Sequence, residues 1–205
     1  MTAAPSGTWH AGRVRLVLVG PPGSGKGTQG PVVAARLGVP YLSTGDLLRE
    51  QVAANTELGK RVAELIDAGE LVPDDLMVAV VADAVDPEAA DGGYVLDGFP
   101  RTLPQAEVIE RAGSPLQPPD VAVHIDLPDA VVHERLAGRA HAEGRADDAD
   151  PEVIDRRLQV YVDETEPLLG HYRDLGILVT VDGDQPAEDV TAAILDAVAA
   201  LPGAS

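Results

Sequence analysis

The sequence predicts an α/β fold, a doubly wound parallel five-stranded sheet that carries a phosphate-binding loop. Two observations predict it. Short apolar, β-branched runs alternate with helix-period segments, near residues 14–19, 39–42, 93–96, 120–127 and 176–181. The first run leads directly into Gly20-Pro21-Pro22-Gly23-Ser24-Gly25-Lys26-Gly27-Thr28, which is G-x-x-x-x-G-K between a strand and a helix. The glycines let the backbone turn tightly with N–H groups facing inward, and the start of the next helix adds its positive dipole end. Lys26 places a point charge where terminal phosphates would sit. There is one departure: Gly27 stands where Ser or Thr usually follows the lysine, and Thr28 comes one residue later.

Composition narrows the class. The chain of 205 residues is long enough for one sizeable core, and with aromatics at only 3% that core must be aliphatic and Ala-rich. There is no cysteine, so no disulfide and no thiolate metal site can form. A formal net charge of −19 repels nucleic acid and anionic membranes, and neither is an expected partner. No stretch approaches membrane-spanning length and no signal-like apolar region precedes the first strand, so a cytoplasmic protein is expected. The scarcity of lysine (only Lys26 and Lys60) is read as the mark of a GC-rich genome, with adaptation to high salt the alternative.

In order along the chain, residues 1–12 are small, polar and aperiodic, and are expected to be a disordered extension. Residues 13–205 read as one domain. Residues 32–37 suit a helix facing the sheet, with Gly38 as its stop, but Gly30-Pro31 should bend or loosen its first turns. After the strand at 39–42, Ser43-Thr44-Gly45-Asp46 opens a helix whose apolar stripe is Leu47, Leu48 and Val52. Residues 59–69 are helical, and Pro73-Asp74-Asp75 starts the next helix with proline and acids where the first turn favours them. The third strand, 93–96, ends at Asp97. A helix over 104–112, a strand over 120–127 and a helix over 129–137 follow. Residues 138–150 are polar and crowded with charge, and are expected to be an exposed loop. Asp150-Pro151-Glu152 then opens a helix to about residue 175, before a last strand at 176–181 and a closing amphipathic helix at 187–201.

In such sheets ligands lie beyond the carboxyl ends of the strands. The loop follows strand one, Ser43 to Asp46 follows strand two, and Asp97-Gly98-Phe99-Pro100-Arg101 follows strand three, so these turns should meet at one crevice. Asp97 is placed to hold Mg²⁺ or its waters. In a chain short of cations, Arg49, Arg101, Arg135, Arg139, Arg145 and Arg157 fall beside these turns or the exposed loop, where arginine suits bidentate phosphate contacts. Arg36, Arg111 and Arg173 suit solvated helix faces. Of Arg156 and Arg157, a helix can aim only one at a given site. The five histidines have no metal-ligand spacing and are expected to be structural or on the surface.

These motifs resemble those of the adenylate kinases among the nucleoside monophosphate kinases, over about residues 14–201. GPPGSGKGTQ, with the same GKGT departure, STGDLLR, GELVPDD, DGFPRT with Gln105, and GRADD followed by RRLQVY occur in the family's order. The resemblance implies reversible, Mg²⁺-dependent transfer of a phosphoryl group from ATP to AMP, giving two ADP. It implies that Gly23, Ser24, Gly25, Lys26, Gly27 and Thr28 hold ATP phosphates, that Arg135 and Arg139 flank ATP, and that Gln185 meets adenine through its backbone. Thr44, Arg49, Glu70, Leu71, Val72, Gly98, Phe99, Pro100, Arg101 and Gln105 would hold AMP, and Arg145 and Arg157 would span the exchanged phosphates. Lys26, Arg101, Arg139, Arg145 and Arg157 would be the catalytic set. Residues 43–72 would form a mobile AMP-binding arm and 138–148 a short lid without a zinc-capable insert. Asp147 and Asp148 in that lid would be solvated when it is open and would hold arginines or loop N–H groups when it is closed. A monomer with ATP, AMP and ADP as its partners is implied.

The expected chemistry needs no base, because the nucleophile is a phosphate oxygen already anionic at neutral pH; what remains is charge and exclusion of water. A pyrimidine monophosphate kinase is the alternative within the class, but Thr44, Thr102 and Gln105 follow the adenylate pattern. A non-catalytic nucleotide-binding regulator would be expected to lack Lys26, Asp97 or the arginines, and all are present.

Overall fold

The computed structural model describes residues 14–84, 92–111, 114, 116–143, 148 and 150–201, with side chains through 139 in the segment ending at 143. The expected extension at 1–12, and Arg145 and Asp147 of the expected lid, lie outside the described residues.

A five-stranded parallel sheet has the order β2-β3-β1-β4-β5. Its strands are β1 (Arg15–Val19), β2 (Tyr41–Ser43), β3 (Tyr94–Asp97), β4 (Val121–Asp126) and β5 (Leu178–Asp182). The strands are continuous apolar runs because helices cover both faces. Alternation divides them between the two layers. Val17, Val19, Leu96 and Ala122 face one core, while Leu16, Leu18, Val95, Val121 and Val123 face the other.

The second core is closed by α1 (Lys26–Leu37) and α9 (Ala187–Ala199), through Val33, Ala34 and Leu37 against Val190, Ile194 and Val198. The first is closed by α2 (Thr44–Ala53), α3 (Glu57–Asp67), α4 (Asp74–Ala84), α5 (Leu103–Glu110) and α8 (Pro167–Asp174). A smaller cluster of Leu127, Val132, Leu136 and Ile154 joins α6 (Asp129–Glu143) to α7 (Pro151–Val160). β1 lies between β3 and β4; its connection runs to β2 on one side while that of β3 runs to β4 on the other, which opens a crevice at the carboxyl ends of β1 and β3.

Several boundaries differ from the sequence reading. α1 runs unbroken through Pro31. The proline costs one backbone hydrogen bond, that to the Gly27 carbonyl, and Gly27 is exposed to solvent. The expected loop after residue 137 is helical to Glu143, so Gly138 and Arg139 sit on α6. The helix expected to reach residue 175 is divided: α7 passes into a π-helical turn, Tyr161–Thr165, before Pro167 starts α8. No described helix is long and apolar enough to cross a membrane.

Candidate active site

The crevice is built from the turns that follow β1, β2 and β3, with α6 and α7 as its far wall. The loop after β1 closes on Gly25, whose φ of 97° is left-handed and available to glycine; Thr28 and Gln29 both donate their N–H groups to the Gly25 carbonyl. Lys26, the first residue of α1, folds back across the loop. Its ammonium donates to the carbonyls of Gly20 (2.7 Å) and Pro21 (2.9 Å) and to Ser24 Oγ (3.2 Å). Burial lowers its pKa to about 8; Asp97 opposes that shift, while Arg101, Arg157 and Arg139 add to it. Four cations therefore act on one small volume.

Opposite the loop, Ser43 caps α2 by accepting from the Asp46 N–H, and Thr44 Oγ1 donates to the Asp97 carbonyl (3.3 Å). Gly98 has a φ of 80°, and a Cβ there would fall 2.6 Å from Thr44 Oγ1, so only glycine fits this turn. A cis peptide joins Phe99 to Pro100. Arg101 Nε donates to the Gly98 carbonyl (3.0 Å), which keeps the guanidinium over the turn. Asp97, nine-tenths buried, accepts from the Tyr41 hydroxyl at 3.1 Å. Burial beside that carboxylate pushes the Tyr41 phenol above its ordinary range, so it remains a donor.

On the far wall, Arg139 of α6 and Arg157 of α7 both donate to Asp148, whose side chain is fully buried. Asp148 thus takes the second of the two arrangements expected for it, holding arginines. Arg156 turns away and makes a bidentate pair with Glu70 (2.7 and 2.9 Å), so one arginine of the adjacent pair faces the crevice. Arg135 donates to the Gly183 carbonyl at 2.9 Å and anchors the turn before Gln185.

Most of the residues expected at the site line this crevice: Gly23, Gly25, Lys26, Gly27, Thr28, Thr44, Arg49, Glu70, Leu71, Val72, Asp97, Gly98, Pro100, Arg101, Gln105, Arg135, Arg139 and Arg157. Three others sit differently. The Phe99 side chain is in the core, the Ser24 hydroxyl is buried under Lys26, and Gln185 is exposed, its amide donating weakly to the Asp182 carbonyl. None of these three lines the crevice. Tyr161 and Thr165 also line it, brought there by the π-helical turn, and Tyr161 is hydrogen-bonded to the largely buried His124 of β4 (3.1 Å). Burial keeps that histidine's pKa below its ordinary value. Nothing in the spacing of the sequence marks a π turn, and these two residues were not singled out from it.

The donor set fits a hard cation that arrives with its nucleotide. Asp97 supplies one carboxylate beside the loop, and a Cβ on Gly27 would lie 3.9 Å from Asp97 Oδ2. Among the described residues no group of three or more acids and histidines could hold a metal alone. Mg²⁺ is commonly bound in this way, through one or two carboxylates plus substrate phosphates.

Comparison with known proteins agrees with this geometry. The family model for adenylate kinase matches residues 18–177. An adenylate kinase of Cyanothece sp. is 45% identical over 92% of this chain and 97% of its own length. One from Stenotrophomonas maltophilia is 43% identical over 91% and 100%, and one from a Synechococcus strain is 46% identical over 86% and 91%. With the loop, the strand-end turns and the arginine wall all in place around one crevice, this chain belongs to the adenylate kinase family.

Proposed function

We propose that the family's activity, phosphoryl transfer from ATP to AMP, is carried out here by charge and position alone, without a general base. The observation that supports this reading most is the convergence of Lys26, Arg101, Arg139 and Arg157 on one crevice in a protein of net charge −19. The loop N–H groups from Gly23 to Thr28 and Lys26 hold the ATP phosphates, and Arg135 and Arg139 flank them. Gln185 meets adenine through its backbone. Thr44, Arg49 and the turn from Gly98 to Arg101 hold AMP, with Glu70, Leu71 and Val72 along its base. Arg157, together with Arg145, spans the phosphates being exchanged. Asp97 would hold Mg²⁺, which would supply further positive charge to stabilise the phosphates. The guanidiniums and Lys26 offset repulsion between two polyanions and stabilise charge on the transferring group, and closure of residues 43–72 and 138–148 over the site keeps water out. The proposed form is a monomer; among the described residues the exposed large hydrophobics Val32, Val52, Leu103, Val162 and Leu175 lie on different segments of the chain.

Gln105 reads the base. Its amide can pair at once with the acceptor and the donor on the adenine edge. The test is diphosphate formation from MgATP with AMP, CMP, UMP or GMP, repeated with Gln105→Ala. The wild type should use AMP far better than the rest. Gln105→Ala should raise KM for AMP roughly ten- to a hundredfold, the cost of a buried hydrogen-bonded pair, with little change for ATP. Equal changes for both nucleotides would refute the placement of Gln105.

A further inference from the structure

We infer that Asp74 is a positioning residue for base specificity, holding the Gln105 amide in one of its two orientations and so fixing the donor–acceptor order offered to a purine edge. The inference rests on the reading of Gln105 as the base-contacting side chain.

A primary amide is nearly symmetric in shape, and its last torsion is broad and two-fold, so partners decide which end is oxygen. Here both partners are unambiguous. The Arg101 backbone N–H can only donate, and Gln105 Oε1 accepts from it at 2.8 Å. The Asp74 carboxylate can only accept, and Gln105 Nε2 donates to its Oδ1 at 2.7 Å. Asp74 is itself held, because Thr102 Oγ1 donates to the same oxygen at 3.0 Å while accepting from the Gln105 N–H that it caps. Gln105 is 2% exposed and lines the crevice.

These bonds use one amide hydrogen and one lone pair. One hydrogen and one lone pair remain for a ligand, in a fixed order. The Watson–Crick edge of adenine presents an acceptor, N1, beside a donor, the 6-amino group. Hypoxanthine reverses the order, with N1–H beside O6. An amide free to turn over could serve both bases, whereas an amide pinned at both ends favours one. Asp74 also begins α4, one residue (Pro73) beyond Glu70, Leu71 and Val72, so the same carboxylate ties that wall of the crevice to the β3–α5 turn. A role confined to the first turn of α4, where an acid favours the helix dipole, would change stability and leave base preference alone.

The experiment measures kcat/KM for AMP and for IMP in wild type, Asp74→Ala, Asp74→Asn and Gln105→Ala, with melting temperatures on the same samples. The AMP-to-IMP ratio does not depend on the fraction of protein that is folded, so a destabilised variant still reports. Asp74→Ala should narrow the ratio about five- to tenfold, the effect of one lost net hydrogen bond, since the Arg101 N–H still restrains the amide. Asp74→Asn should recover most of it, because its amide oxygen can accept both bonds. An unchanged ratio in Asp74→Ala, with collapse in Gln105→Ala, would overturn the inference and leave the reading of Gln105 standing. A loss shared equally by Asp74→Asn would overturn the acceptor argument. An unchanged ratio in Gln105→Ala would overturn that reading and the inference with it.

Discussion

Lys26 is the single residue on which the proposed phosphate site most depends. Its three donors are satisfied by loop carbonyls and Ser24, and its charge is disfavoured by burial, which sets its pKa near 8. Phosphate oxygens would replace those partners and favour the ammonium again. The free enzyme should therefore lose kcat/KM for ATP as pH rises through about 8, while kcat, which reports the nucleotide complex, should hold to higher pH. The same shift acts on stability. Between about 8 and the ordinary 10.5 the unfolded chain binds the extra proton, so stability should rise with pH across that window. Coincident profiles for kcat/KM and kcat would contradict this account of the lysine.

A second residue makes a simpler claim. Tyr172 is fully buried, and its hydroxyl has no hydrogen-bond partner among the described residues. An unpaired buried hydroxyl costs about 1–3 kcal/mol, so Tyr172→Phe, which keeps the shape, should raise unfolding stability by about 1 kcal/mol or more in a urea titration. A lower midpoint would mean that the hydroxyl has a partner after all.

At the scale of the element, α1 answers the question posed by Gly30-Pro31. A Cβ on Gly30 would lie 2.2 Å from Tyr41 Cε2, so the missing side chain makes room for the ring whose hydroxyl steadies Asp97. Gly30→Ala would gain about 1 kcal/mol of helix propensity but overpack the ring, typically a cost of about 1–3 kcal/mol. A net loss of stability is expected, and it should turn into a gain when Gly30→Ala is made in a Tyr41→Leu background. A gain in the wild-type background would show that the ring moves aside freely.

Elements also show what the sequence could reveal. The succession of strands and helices, the loop and the turns after β1, β2 and β3 were readable because glycine, proline and capping residues mark them locally, whereas the order of the strands in the sheet is a matter of long-range pairing. The end of α6 was not readable. Gly138 and the surrounding charge suggested a stop, yet Arg139 to Glu143 are residues that a helix accepts, and a lone glycine costs only about 1 kcal/mol. The π turn that brings Tyr161 and Thr165 to the crevice has no distinctive spacing, and the bond between Asp74 and Gln105 joins residues 31 apart in sequence. Long-range contacts of that kind leave no local trace.

For the whole molecule, the governing feature is charge separation. A chain of net charge −19 gathers Lys26 at the start of α1, Arg101 after β3, Arg139 on α6 and Arg157 on α7. Buried Asp148 holds two of these guanidiniums together, which offsets their mutual repulsion without removing them from the crevice. The sheet makes the gathering possible, since placing β3 beside β1 puts Arg101 and Lys26 at one edge. If catalysis is the stabilisation of transferring charge, removing the central cation must slow the chemical step itself rather than only weaken binding. The direct measurement is kcat for AMP phosphorylation by Lys26→Met at saturating MgATP and AMP, in protein shown by calorimetry to be folded. A fall of about two orders of magnitude or more is predicted, the usual cost of removing one preorganised charge-stabilising group. A kcat within a few-fold of wild type would contradict it.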